Sequence, residues 1–236
     1  TADWITKETI ISNEGLQNII IIADNADIEV LSTKDKEIKI EVSGNDPQND
    51  LSTSVEDATL SIKVKHSRNR LFQFDLFSSV SSLKVSLPEE MYDSIQITSD
   101  NGRIRGNNFQ AKDISVETDN GLIELKHVTS SAISVESDNG KISLEDIEGD
   151  IYGKTDNGAI TLLTSDLDRN IELKTDIGMI DIQTEIKPIN ATIDVHVDIG
   201  SVTIFRKNNR HTVYGNGENV IKLTTDIGKI KVSSRR

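Results

Sequence analysis

The chain has 236 residues, a formal net charge of −13, 4% aromatic residues, three prolines and no cysteine. The missing cysteines exclude disulfides, thiolate metal sites and cysteine nucleophiles, and so acidic a surface makes nucleic acid and anionic lipid poor partners. The longest apolar run, Ile19 to Ala23, is strand length and far short of a membrane helix.

Isoleucine and valine carry the apolar content, which suits a narrow core of β-branched ladders better than one packed with large rings. The chain begins at Thr1 rather than Met, as either a trimmed chain or a mature product does, which leaves room for an export signal or anchor to have been removed. Ile19 to Val30 contains Ala23-Asp24-Asn25-Ala26, read as a degenerate first copy of a motif that recurs later, with Ala where Gly stands elsewhere. Ile38, Ile40 and Val42 alternate as a strand does, and Ser43 to Asp57 reads as a polar loop around Gly44, Asn45, Asp46 and Pro47. Leu60, Ile62 and Val64 form the next strand; Leu83, Val85 and Leu87 form another, ended by Pro88. Between them, Arg68 and Arg70 precede Phe72, Phe74 and Phe77. Two readings stand for that segment: a cap strand burying Phe72 and Phe74, or a patch for a partner or a membrane surface.

From Ile95 to Val232 one phrase recurs seven times. It reads Ser99-Asp100-Asn101-Gly102 in the first copy and ends on Gly121, Gly140, Gly158, Gly178, Gly200 and Gly228 in the others. Alternating apolar residues flank it, as with Ile133 and Val135 before the third copy and Ile142 and Leu144 after it. Asp-Asn-Gly is turn chemistry, and one copy alone would read as a hairpin. The glycines are spaced by 19, 19, 18, 20, 22 and 28 residues. So steady a period points to stacked units, each unable to bury its apolar face alone. The expected fold is all-β: a parallel, single-stranded, right-handed β-solenoid of about 19–20 residues per rung with an irregular N-terminal β cap. A sandwich of ordinary hairpins is the alternative. One continuous domain is expected, with residues 1–90 as cap and degenerate first rungs and 91–236 as solenoid repeats. The two longest steps read as corner insertions, near Lys187-Pro188 and over Arg206 to Asn219. Lys229, Lys231, Arg235 and Arg236 are expected to set positive charge beside the final edge strand.

Stacking would bring Asp100, Asp119, Asp138, Asp156, Asp176, Asp198 and Asp226 into one column. Carboxylates about 5 Å apart repel by about 1 kcal/mol per neighbour in water. Backbone N–H groups of each turn are the favoured counterweight, and Ca²⁺ between rungs, on Asp100, Asp119, Asp138 and Asp156, is the other. The residue after each Asp is Asn101, Asn120, Asn139 and Asn157, then Ile177, Ile199 and Ile227. The asparagines are expected to form an amide ladder. The isoleucines are either covered by the 206–219 insertion or left as a stripe for a partner. The preceding Ser and Thr residues read as a structural hydroxyl ladder. No catalytic constellation emerges. His66, His127, His196 and His211 lack ligand spacing, and no phosphate loop or nucleophile elbow is present. Arg103 and Arg105 near Asp100 are the nearest approach to the charged face of a β-helical carbohydrate-active enzyme.

Thr-Asp-Asn-Gly followed by x-Ile-x-Leu about every 19 residues, with Leu87-Pro88 just before the first copy, resembles a bacterial adhesin family with β-strand repeats. Within it the chain looks most like the LiaG type of Gram-positive cell-envelope-stress operons. The resemblance spans about Leu16 to the C-terminus. It implies an extracytoplasmic, membrane-anchored envelope protein and no reaction; the family has no catalytic residues to carry over. The chain departs from the pattern in the last three copies, where Ile replaces Asn. The expectation is a non-enzymatic adhesin or interaction scaffold with no cofactor. An envelope protein or a glycan would be its partner; nucleic acid would not, and the membrane only through the anchor. A carbohydrate-active β-helix enzyme and an envelope-stress regulator are the alternatives.

Overall fold

The computed structural model describes residues 4–45, 50–65 and 81–236. Its strands, in chain order, are β1 (Ile5–Ser12), β2 (Asn18–Ala23), β3 (Ala26–Thr33), β4 (Glu37–Gly44), β5 (Leu51–Glu56), β6 (Thr59–Val64), β7 (Ser81–Pro88), β8 (Met91–Asn101) and β9 (Ile104–Asn107). They continue as β10 (Gln110–Asn120), β11 (Ile123–Asn139), β12 (Ile142–Asn157), β13 (Ile160–Thr164), β14 (Ile171–Thr184), β15 (Ala191–Ile204), β16 (His211–Tyr214) and β17 (Asn219–Ser234). All pair, mostly in parallel, into one unclosed sheet. No helix among the described residues is long and apolar enough to cross a membrane.

Each turn of the solenoid supplies one strand before the Asp-x-Gly bend and one after it. The first set stacks Ile95, Ile114, Ile133, Ile151, Ile171 and Ile221 in register. The second stacks Ile104, Ile123, Ile142, Ile160, Ile180 and Ile230. Every one of these side chains points inward and is buried. Alternation of period two places them all on one face, and removing each from water contributes about 1.5–3 kcal/mol, an upper estimate because the unfolded chain is itself partly collapsed. A second column of bends carries Asn108, His127 and Asp146 at φ of 59°, 54° and 52°. Asn, Asp and His are the non-glycine residues that enter this left-handed region most readily.

The stack does not follow sequence order at its ends. β17 lies between β14 and β15, pairing in parallel with both, so the last repeat is an interior coil and the sixth is the terminal one. At the other end β2 pairs with both β6 and β8, and β3 with both β7 and β9, so the degenerate first copy is also interior. The long final glycine step now has a physical reason: the chain must leave the end of the stack, form β16 and return one layer inward. The expectation of Lys229 and Lys231 beside the last edge is therefore corrected, since their strand has neighbours on both sides.

Antiparallel strands cover the outer coils. β16 pairs with β15, β5 with β6, and β4 with β7, with β1 outside β4. Parallel ends left bare would invite pairing with other chains. The reading of Ser43 to Asp57 as loop missed β5. That strand has an almost wholly exposed side-chain pattern and so lacks apolar alternation. Its hairpin turns at Asp57 and Ala58, φ 49° and 60°, rather than at the usual Asn-Gly. Asn13 locks the cap to the stack: it accepts a 2.7 Å hydrogen bond from the buried Tyr92 hydroxyl and donates one of 2.8 Å to Glu90.

Candidate functional site

The Asp-x-Gly corners are held from within. Asn120 donates to Asn101, Asn139 to Asn120 and Asn157 to Asn139 at 2.9–3.1 Å, and Asn101 donates to Asn25 at 3.0 Å. The ladder thus runs into the degenerate copy. Ser137, Thr155, Thr175 and Thr225, each one residue before its Asp, donate to the glycine carbonyl of the neighbouring coil at 3.1–3.3 Å. A Cβ on Gly121, Gly140, Gly158, Gly178, Gly228 or Gly200 would overlap the next glycine's carbonyl oxygen, so close approach of backbones requires glycine there. Ala26 stands at the end of that column, where its carbonyl oxygen faces Gly102.

The aspartates themselves do not cap their turns as expected; the bond from Asn25 N–H to Asp24, 2.7 Å, is confined to the degenerate copy. Asp100, Asp119 and Asp138 are exposed, which relieves their repulsion through water. Asp156 takes Lys154 at 3.5 Å, and Asp198 takes His196 at 2.8 Å. Among the described residues no group of three or more acidic or histidine side chains is set to hold a metal ion. His127 pairs with Asp146 at 2.6 Å, and His211 pairs with Asp194, each at the surface. Arg103 binds Asp27, by backbone at 2.9 Å and guanidinium at 3.3 Å, and not Asp100. Together with Arg105, Glu29, Glu41 and Lys84 this pair lines a depression of about 400 Å³.

Two surface features stand apart. The first is the isoleucine stripe. Ile177, Ile227 and Ile199 follow one another on adjacent coils, in that order, and extend the asparagine column. They are 53%, 47% and 66% exposed, so the 206–219 insertion does not cover them. That insertion instead packs at the terminal coil, where Phe205 meets Tyr214 edge-on and Arg210 donates to the Val197 carbonyl at 2.8 Å. Phe72 and Phe74 lie outside the described residues.

The second feature was not foreseen. A groove of about 660 Å³ runs across six consecutive strands of the stack: β8, β10, β11, β12, β14 and β17. At about 4.8 Å per strand its length is about 24 Å. The main chain of the stacked isoleucines from Ile95 to Ile171 forms its floor, with their side chains turned into the core. One wall carries Ser94, Asp113, Ala132, Asp150, Asn170 and Val220; the other carries Gln96, Ser115, Ser134, Tyr152, Glu172 and Lys222. Burial pushes the Tyr152 phenol up from its ordinary pKa, aided by Glu136 and Glu172. Asp150 receives the Asn170 N–H at 3.3 Å and Asn170 receives that of Val220 at 3.0 Å, fixing one wall. Arg169 stiffens the same edge. It donates to the carbonyls of Ile147 and Gly149 and to the Thr164 hydroxyl, and burial lowers its pKa. The sequence signal for the groove was the polar residue following each first-strand isoleucine, recurring with the glycine period.

The geometry defines a class: an all-β solenoid of mostly parallel strands stacked on glycine corners. Models of the Toastrack DUF4097 family match residues 16–153 and 99–233, and the chain belongs to that family. No curated protein matches the sequence. Among solved structures, a putative adhesin from Bacteroides fragilis is similar at a TM-score of 0.53, with 13% identity over 98% of both chains. A putative cell adhesion protein from Clostridium sporogenes aligns over 99% of this chain and 100% of its own, at 12% identity and a TM-score of 0.46.

Proposed function

We propose that this protein is a non-enzymatic docking scaffold of the bacterial cell envelope, right-handed in its coil and displayed outside the cytoplasm on an N-terminal anchor, as in the LiaG type. The groove across six strands carries the reading. It offers an extended, preformed surface of the kind solenoids use for binding. The corner asparagines and hydroxyls, in contrast, spend their polar groups within the stack. The exposed Ile177, Ile227 and Ile199 stripe is a second contact surface, for a protein partner. The adhesin names carried by structures of like fold agree with this role.

The test is co-sedimentation of the purified chain with envelopes isolated from a Gram-positive bacterium. Retention is expected, reduced by Tyr152→Ala with Ser134→Trp in the groove, and separately by serine at the three isoleucines. Retention that ignores both sets of changes overturns the reading. So does release of sugars from cell-wall polysaccharide that disappears in Asp100→Asn, which would make the protein an enzyme.

A further inference from the structure

The groove repeats with the coil. Gln96, Ser115, Ser134, Tyr152, Glu172 and Lys222 stand at one height on successive strands. Each coil therefore presents one polar side chain, about 4.8 Å from the next, beside a floor of paired main chain. None of these six side chains is engaged in a hydrogen bond or ion pair within the described protein, unlike Asp150 and Asn170 on the facing wall.

A ligand that uses this surface must repeat at the same interval. An extended polypeptide rises about 3.3 Å per residue and loses register within two or three coils. It also finds no strand edge here, because the floor strands are paired on both sides. A pyranose unit in a linear polysaccharide is about one strand spacing long. It is flat enough to lie on such a floor, with a C–H face for the Tyr152 ring and hydroxyls for the polar side chains of the rims. Charge narrows the class. Asp113, Asp150 and Glu172 outnumber Lys222 in the groove, which disfavours polyuronates and phosphate polymers.

Resting on the docking role above, we propose that the groove binds a linear polysaccharide of neutral or N-acylated hexopyranose residues, laid along the stack with one sugar per coil. Tyr152, half-buried near the centre of the row, is the platform on which one ring stacks.

Isothermal titration calorimetry with cello-oligosaccharides and chito-oligosaccharides of three to eight residues tests this. Affinity is expected to rise with length up to about six residues and then level off, because six strands cross the groove. Tyr152→Ala is expected to weaken the hexamer by about tenfold or more, the loss typical of truncating an aromatic anchor. Ser134→Trp, which fills the centre of the groove, is expected to abolish binding. Circular dichroism melting curves for both variants are expected to match the parent, since both side chains face outward. The proposal is overturned if neither hexamer binds at millimolar concentration, if affinity is independent of length, or if Ser134→Trp binds unchanged. It is overturned equally if oligolysine or polygalacturonate binds in preference, which would assign the groove to a basic peptide or a polyanion. Envelope retention that persists but is not competed by either hexamer removes the polysaccharide alone. Loss of envelope retention removes the broader docking role with it.

Discussion

At the corner, three neighbouring positions do different physical work, and their substitutions should separate accordingly. Gly140→Ala forces a Cβ into the Gly121 carbonyl and cannot be relieved without opening the stack. It is expected to cost about 3 kcal/mol or more, in the range of severe backbone clashes. Thr155→Val removes the 3.1 Å bond to the Gly140 carbonyl and leaves that oxygen buried, costing about 1–3 kcal/mol. Asn139→Ile breaks two ladder bonds, but the same corner already carries exposed isoleucine at Ile177, Ile227 and Ile199. It should change stability by about 1 kcal/mol or less. Urea denaturation of the three variants gives the ranking; an Asn139→Ile as costly as Gly140→Ala would mean the amide ladder, and not backbone approach, holds the corner.

Tyr92 also belongs to this scale. Burial, with Glu90 nearby, raises its pKa well above the ordinary 10.0. The folded state keeps the phenol neutral while the unfolded chain ionises it near pH 10. The stabilisation is therefore complete below pH 10 and is lost as pH climbs beyond it. Melting temperature should fall more gently above pH 10 in Tyr92→Phe than in the parent. At neutral pH the same variant should melt lower, because Asn13 loses its 2.7 Å donor.

Among the elements, β17 has the most consequential position. A C-terminal strand ordinarily frays, but this one is held by β14 and β15 along nearly its whole length. Its backbone amides should exchange with solvent as slowly as those of β14, and more slowly than those of β16, which among the described strands pairs with β15 alone. Hydrogen exchange read by mass spectrometry distinguishes this from a frayed terminus, in which β17 would exchange first.

The molecule as a whole has the quasi-one-dimensional contacts of a solenoid, yet its two intercalated coils tie later chain to earlier chain at each end. Ending the chain at residue 218 removes an interior layer, not a terminal one, and leaves β15 and β16 without a partner coil. The expected result is loss of the β15–β16 region and a melting temperature lower by well over the few degrees that a 1 kcal/mol change produces. A truncated chain melting with the parent would show that the terminal layers are energetically independent.

Much of this was legible in the residues. A glycine period near 19, with Ile or Val alternating on either side, leaves few folds besides stacked coils, because the side-chain period of two and the repeat period agree at every copy. The amide ladder followed once stacking was accepted, since stacked amides can both donate and accept along the column; the hydroxyls instead bond the glycine carbonyls of the neighbouring coil. The sequence alone therefore determined the repeat unit, its buried face and the glycine corner, all of which depend on near neighbours. Three things depended on which coil lies beside which, and only the tertiary structure decided them. They are the insertion of β17 ahead of β15, the exposure of Ile177, Ile227 and Ile199, and the groove. Parallel pairing is satisfied equally well by any neighbouring repeat of the same register, so local chemistry does not choose the order of layers. The groove is likewise lined by side chains of six stacked strands, and no single repeat contains it.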